Sequence, residues 1–297
     1  MPDEVQSPYL EDIPLDQALA RWWEALAAAG LDRPLPGEPV TLEDALYRME
    51  YAEFAPVSVD AGEVAVEFGI GREEQDAWAL RSQRMYARAL AEGIPAEEIV
   101  PVTLPGGKVF EADELPRPET TMEALEKLPT IYGSPTVTAG NAPGLDAGAA
   151  ALVVMSAAEA RHRGVRPLAR LLSYAAVALA PRRMAEAPAE AAECALKRAG
   201  LPLASLDRVE INEAFAAVAL VSTKRLSGAD TAALAALRER TNADGGAIAI
   251  GHPVGASGAR IVGTLAMALR RRGGGRGLAA ICGGLAQGDA AVLEAAG

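Results

Sequence analysis

Residues 244–257, DGGAIAIGHPVGAS, constrain the fold more than any other stretch, because an apolar run, a glycine-rich turn and the start of a helix follow one another directly. The apolar run at 247–250 predicts a short buried strand that ends at Gly251. Beyond the turn, apolar residues recur at helical spacing from Ile261 onward. His252 is therefore expected at a strand-to-helix turn, where a side chain can reach a cleft.

Two interpretations of His252 have to be weighed. A lone histidine is usually a core residue whose ring is satisfied by its neighbours, whereas an imidazole in a cleft transfers protons near neutral pH. Glycines on both sides of His252 allow the backbone to approach it closely. Two further polar residues at predicted strand ends, Asn212 and Cys282, favour the functional interpretation.

The composition narrows the class of protein. Half of the 297 residues are hydrophobic and only 4% are aromatic, so the core must consist mostly of Ala, Val, Leu and Ile, which suits closely packed α/β layers. A net charge of −12 argues against nucleic acid or an anionic membrane as the main partner. Two cysteines give no disulfide framework, and no signal-like or transmembrane stretch is recognisable, which predicts a cytoplasmic protein.

Changes in sequence texture divide the chain into three parts. Residues 1–57 are expected to form an atypical helical segment, and residues 58–142 a separate and more polar module. Residues 143–297 alternate between strand-like and helix-like patterns, which predicts a layered α/β domain. The apolar run 149–155 lies near the start of this last part and predicts a strand that is buried on both faces.

Three polar residues are placed just after predicted strands, namely Asn212, His252 and Cys282. Strand ends in an α/β fold commonly converge on one cleft. A thiol can act as nucleophile or acid, an imidazole shuttles protons, and a carboxamide holds a water or an oxyanion, so the set predicts acyl chemistry. The backbone N–H groups of Gly283 and Gly284 could serve the same oxyanion. Taken singly, Cys282 is typical of an inert buried thiol and Asn212 of a helix N-cap.

Three motifs together resemble the thiolases of the acetyl-CoA acetyltransferase type: Asn212-Glu213-Ala214-Phe215, residues 245–260 (GGAIAIGHPVGASGAR) and Cys282-Gly283-Gly284. The likeness runs from about Val57 to the C-terminus. It implies a thiolase-like layered α/β/α sandwich with an inserted loop domain, here residues 58–142, and a homo- or hetero-oligomer. It also implies coenzyme A and acyl-CoA as substrates, with no permanently bound cofactor and no catalytic metal.

The resemblance also assigns roles to single residues. His252 would activate the nucleophile and line an oxyanion hole, and Cys282 would move the proton at the α-carbon. Asn212 would hold a catalytic water, and the N–H of Gly284 would stabilise the acyl oxyanion. The substrate-binding residues implied in the same way are Ala139, Ala214, Phe215, Arg117 and Ser257.

The sequence departs from the family pattern in its first half. Thiolases carry a nucleophilic cysteine there, but the second cysteine of this sequence is Cys194, on a predicted helix of the second half. Most of the first α/β half, including the sheet neighbours of 149–155, is expected to be lacking. An uncovered apolar strand is costly, so a second polypeptide is expected to supply both the missing strands and the thiol. Pro143 replaces a serine that binds pantetheine in many thiolases.

Two hypotheses of different classes follow. The first is a subunit of a split thiolase that cleaves 3-oxoacyl-CoA by thiolysis or performs the reverse Claisen condensation. The alternative is a non-catalytic thiolase-fold protein that binds acyl-CoA or acts as a scaffold. A third possibility is decarboxylation of a 3-oxoacyl thioester, which needs an oxyanion hole but no acyl-enzyme.

Overall fold

A computed structural model describes residues 56–228 and 230–295, so the segment predicted at 1–57 lies almost entirely outside the described residues. The first part of the described chain is mainly helical and carries one small hairpin. Its elements are α1 (Val57–Glu67), α2 (Arg72–Ala91), β1 (Val102–Thr103), β2 (Val109–Phe110), α3 (Met122–Glu126) and α4 (Ala157–His162). None of the helices within the described ranges is long and apolar enough to cross a membrane.

The second part is organised around a mixed four-stranded sheet. Its strands are β3 (Arg170–Ala178), β4 (Arg208–Ile211), β5 (Gly275–Gly283) and β6 (Gln287–Ala295), in the spatial order β3-β6-β5-β4. Strands β4 and β5 are parallel, and the other two pairs are antiparallel. The helices of this part are α5 (Ala187–Ala199), α6 (Ala216–Ser227), α7 (Thr231–Arg240), α8 (Ala247–Ile250) and α9 (Ser257–Arg271).

Alternate residues of the central strand β5 face two different helices, which makes the fold layered. Leu278 and Ala280 belong to one hydrophobic cluster with Ala191 of α5. Ala279, which lies between them, belongs to the other cluster with Leu265 of α9. Because side chains alternate along a strand, α5 and α9 cover opposite faces of the sheet. The predicted α/β/α layering is confirmed for this half of the chain.

The prediction of a strand at 247–250 is wrong, because these residues form the short helix α8. The carbonyl oxygen of Gly246 accepts hydrogen bonds from the N–H groups of Ala249, at 2.9 Å, and Ile250, at 3.2 Å. The N–H of Ile248 donates to the carboxylate of Glu213 at 3.0 Å. A four-residue apolar run predicts burial but does not distinguish helix from strand, and a carboxylate at the first turn favours the helix.

The prediction of a strand at 149–155 that is buried on both faces is also wrong for the described chain. These residues belong to no strand. The side chains of Val153 and Val154 are 87% and 83% exposed, and those of Leu152 and Met155 are 43% and 37% exposed. A strand exists only through hydrogen bonds to a neighbour, and no strand of the described residues lies beside this run.

Candidate active site

Two of the predicted site residues lie side by side because they follow parallel neighbouring strands. Asn212 comes directly after β4, and its backbone N–H donates to the carbonyl oxygen of Ala280 in β5 at 2.9 Å. Cys282 lies two residues further along β5, near the end of that strand. The C-terminal ends of the two strands therefore bring the carboxamide and the thiol to one edge of the sheet.

The imidazole of His252 reaches the same edge from the turn between α8 and α9. Its Nδ1 lies 2.7 Å from Oγ of Ser257, and the Ser257 hydroxyl donates to the carbonyl oxygen of Pro253 at 3.1 Å. Since that hydroxyl proton is used, Nδ1–H of the ring donates to Ser257 and Nε2 is left as an acceptor. Nε2 then accepts from Nδ2 of Asn212 at 3.3 Å. The structure thus brings His252 and Asn212 together.

His252 and Cys282 have pKa values shifted in opposite directions. Burial lowers the pKa of His252 below its ordinary value, and the positive charge of Arg260 lowers it further, which favours the neutral form of the ring. Burial raises the pKa of the Cys282 thiol to about 12, so this group keeps its proton. A neutral imidazole can accept a proton and a protonated thiol can donate one, which is a base and acid pair set by environment.

The turn after Cys282 is strained. Leu285 and Ala286 both have positive φ angles, 58° and 56°, in the region that non-glycine residues rarely adopt. The N–H of Leu179, at the end of β3, holds this turn by donating to the carbonyl oxygen of Ala286 at 3.0 Å. The space beside Gly284 is open, since an added Cβ there would meet no atom within 4 Å. Strain of this kind is concentrated at functional turns.

Glu213 follows Asn212 directly, and the sequence motif assigns it no role. Its side chain is completely buried. Oε1 accepts from Nε1 of Trp78 and Nδ2 of Asn242, each at 2.9 Å. Oε2 accepts from Oγ of Ser82 at 2.8 Å and from the N–H of Ile248 at 3.0 Å. A charged residue inside an apolar motif is the signal that could have found it, because a buried carboxylate requires several donors.

The remaining predicted contacts with substrate stay predictions. Ser257 is completely buried and bonded to His252, a position that favours holding the ring over touching a ligand. Ala214 and Phe215 are half-buried beside Asn212, whereas Ala139 and the side chain of Arg117 are exposed.

Cys194 lies on the same side of the sheet as Cys282, since both pack against one hydrophobic cluster. It is half-buried on α5 and packs against the core of that face of the sheet. Within the described residues, no group of three or more His, Cys, Asp or Glu side chains could hold a metal ion.

Comparison with known families finds two matching models. The thiolase C-terminal domain matches residues 165–295, and the thiolase N-terminal domain matches residues 38–158. The second match corrects the expectation that the N-terminal half is lacking, since residues 38–158 carry a recognisable portion of that domain.

Similar curated proteins include the β-ketoadipyl-CoA thiolase of Pseudomonas aeruginosa, with 46% identity over 80% of this chain and 59% of the relative. Another is the acetyl-CoA acetyltransferase of Escherichia coli K12, with 47% identity over 80% of this chain and 59% of the relative. The chain therefore spans about three fifths of the length of these curated relatives.

Solved structures give the same result for the fold. The acetyl-CoA acetyltransferase of Bacillus anthracis superposes with a TM-score of 0.77 at 35% identity, covering 89% of this chain and 66% of that one. Human mitochondrial 3-ketoacyl-CoA thiolase in complex with CoA superposes with a TM-score of 0.74 at 35% identity, covering 89% and 65%. Matched by both domain models over most of its length, with the three motifs gathered at one sheet edge, the chain belongs to the thiolase family.

Proposed function

We propose that this chain is one subunit of a split thiolase, which cleaves 3-oxoacyl-CoA by thiolysis or performs the reverse Claisen condensation. The acyl-accepting cysteine would come from a second polypeptide. The observation that carries the proposal is the imidazole of His252 within 3.3 Å of the Asn212 carboxamide, at the sheet edge where β5 ends with Cys282 and where the sequence places no second cysteine. The sequence has one other cysteine, Cys194, which is half-buried in the middle of helix α5.

In the first half-reaction, Nε2 of His252 takes the proton of the partner's thiol. The thiolate attacks the 3-oxo carbon, and the bond between the 3-oxo carbon and the α-carbon breaks. The electron pair passes to the enolate of acetyl-CoA, which takes the proton of the Cys282 thiol. Because burial raises the pKa of this thiol to about 12, it holds a proton that it can give to the enolate carbon.

In the second half-reaction, the Cys282 thiolate takes the proton from the thiol of free coenzyme A. The coenzyme A thiolate attacks the acyl thioester, the partner's sulfur leaves, and His252 returns its proton to that sulfur. Asn212 and the N–H of Gly284 would stabilise the oxyanions. Oδ1 of Asn212 is buried and has no hydrogen-bond partner among the described residues, which suits an acceptor that holds a catalytic water.

The exposed run 149–155 supports the involvement of a second polypeptide. The segment that precedes the run contacts the His252 turn, since the N–H of His252 donates to the carbonyl oxygen of Gly144 at 3.0 Å. A Cβ added at Gly148 would lie 2.7 Å from Cγ of Pro253. A partner strand that pairs with this run would cover its apolar side chains and lie close to His252.

The test is purification of the complex from the native source, followed by assays with 3-oxoacyl-CoA and coenzyme A. We expect a co-purifying polypeptide whose cysteine becomes acylated by the substrate. Cys282→Ala in the complex should abolish release of acetyl-CoA, and Cys194→Ala should leave it unchanged. Turnover by the isolated chain, or a complex whose partner is never acylated, would refute the proposal.

The alternative is a non-catalytic protein that binds acyl-CoA. One observation favours it, namely that neither cysteine of the sequence stands in the position of an acyl acceptor. Calorimetry with acyl-CoA distinguishes the two functions. Binding that is unchanged by His252→Ala and Cys282→Ala, without turnover in any complex, would support the alternative.

A further inference from the structure

We propose that Glu213 is a positioning residue, whose carboxylate fixes the His252 ring against Asn212. The inference rests on the proposed function in one respect, namely that these two side chains are the proton-transfer pair. The inference concerns how the side chains of His252 and Asn212 are held in place. Glu213 itself does not face the reacting atoms, because its side chain is completely buried.

One side of the carboxylate fixes the segment that leads to His252. Oε2 accepts from the N–H of Ile248, four residues before the histidine, at 3.0 Å. It also accepts from Oγ of Ser82 at 2.8 Å, and that same Oγ accepts from the N–H of Gly246 at 3.0 Å. The first turn of helix α8 is therefore held by the carboxylate of Glu213 and by the hydroxyl of Ser82 on α2.

The other side of the carboxylate fixes the segment that carries Asn212. Oε1 accepts from Nδ2 of Asn242 at 2.9 Å. The carboxamide of Asn242 in turn bonds the backbone of Ile211, with 2.8 Å to the N–H and 2.8 Å to the carbonyl oxygen. Ile211 directly precedes Asn212, so one carboxylate determines the placement of both members of the pair.

The packing around Glu213 leaves a single arrangement. A Cβ added at Gly246 would lie 2.5 Å from Cδ of Glu213, far inside van der Waals contact. Each carboxylate oxygen accepts two hydrogen bonds, and all four donors are identified. In Glu213→Gln the new amide group would face two of those donors, so the segment must move or leave them unpaired.

The experiment observes His252 in the isolated chain and requires no turnover. The sequence has two histidines, so His162→Gln leaves His252 as the source of every imidazole signal in ¹⁵N NMR. In this background we expect the neutral Nδ1–H tautomer and a pKa below the ordinary value. Glu213→Gln should populate both tautomers and move the pKa toward the ordinary value of about 6.5 as water reaches the ring.

Asp76→Asn is the matched control. Like Glu213→Gln, it replaces a completely buried carboxylate. Asp76 lies on α2, and its oxygens accept from Arg72 and Asn141. We expect it to change stability and leave the His252 tautomer unchanged. If Glu213→Gln does not fold, Trp78→Phe removes one donor and should shift the ring in the same direction by less.

If a folded Glu213→Gln or Trp78→Phe protein shows the same His252 tautomer and pKa as the parent, the positioning role is refuted. Failure to find thiolase activity would not affect this result, because it is measured on the chain without substrate. Conversely, an active complex in which Glu213→Gln changes neither the tautomer nor the pKa of His252 would leave the proposed function intact and refute this inference.

Discussion

Helix α8 (Ala247–Ile250) and the run 149–155 are both short and apolar, but they lie in opposite environments. The residues of α8 are buried except the last, and the N–H of Ile248 meets the carboxylate of Glu213. In the second run, Val153 is 87% exposed and the backbone joins no sheet. The difference between them is the presence of a neighbour that satisfies backbone groups and covers side chains.

We expect chemistry to depend on the α8 region and association with a partner to depend on the run 149–155. The first region already holds His252 and Asn212 in place, so changes there should affect chemistry and leave association unaffected. The second region offers uncovered apolar surface, so changes there should affect association and leave His252 unaffected. Each of the following predictions tests that separation.

The largest expected effect is that of His252→Ala in the assembled complex. Removing a general base typically costs about 10²–10⁴-fold in rate, so kcat/KM for thiolysis should fall by that amount. Sedimentation of the complex should be unchanged, because His252 belongs to the preformed region. His162→Ala, which changes an exposed residue at the end of α4, is the control. Dissociation of the complex in the His252 variant would contradict the separation.

Val153→Asp should weaken association with the partner by about 1–3 kcal/mol, since it places a charge on the surface that is to be buried. The melting temperature of the isolated chain should not change, because the side chain is 87% exposed there. Titration calorimetry or sedimentation measures the affinity. Val100→Asp, at a position 79% exposed outside the run, should leave the affinity unchanged. Equal losses for both variants would contradict a docking edge at 149–155.

Gly246→Ala should lower the free energy of unfolding by about 1–3 kcal/mol through overpacking. The backbone at Gly246 is extended, with φ −145°, so the cost arises from contact with Glu213 and not from backbone strain. Gly255→Ala in the following turn meets no atom within 4 Å and should stay within about 0.5 kcal/mol of the parent. Urea unfolding of the two variants gives the comparison. If Gly246→Ala leaves the free energy of unfolding unchanged, Glu213 is not closely packed against Gly246.

Much of this arrangement could be predicted from sequence, because it depends on local periodicity. Alternating strand and helix patterns predict the layers that cover β5, and strand ends predict that Asn212 and Cys282 meet at one edge. The helical state of 247–250 could not be predicted, since the carboxylate that favours it belongs to Glu213, 35 residues away in sequence. Tertiary contacts of this kind override the pattern of a short run.

The same limit applies to the contacts of single side chains. The Ser257 hydroxyl lies 2.7 Å from Nδ1 of His252, because the turn between α8 and α9 brings residues five apart together, and no sequence pattern predicts that contact. The run 149–155 joins no strand among the described residues, and an apolar run by itself does not specify the neighbour with which it would pair. Local sequence pattern therefore predicts where a residue lies along the elements of the fold, but not which atoms its side chain contacts.

The smallest expected effect is a pH dependence of stability that belongs to the preformed region. The folded pKa of His252 is lowered by burial and by Arg260, whereas the unfolded side chain titrates near about 6.5. Between these values the unfolded chain binds more protons, so the free energy of unfolding falls as pH is lowered through about 6.5. We expect His252→Gln, in the His162→Gln background, to remove the contribution of His252 to the pH dependence of the free energy of unfolding. Urea titrations from about pH 8 to 5 measure that dependence. Val153→Asp should retain it, because the exposed run does not contact the ring. A slope that survives in the His252→Gln protein would mean that other groups cause the acid sensitivity.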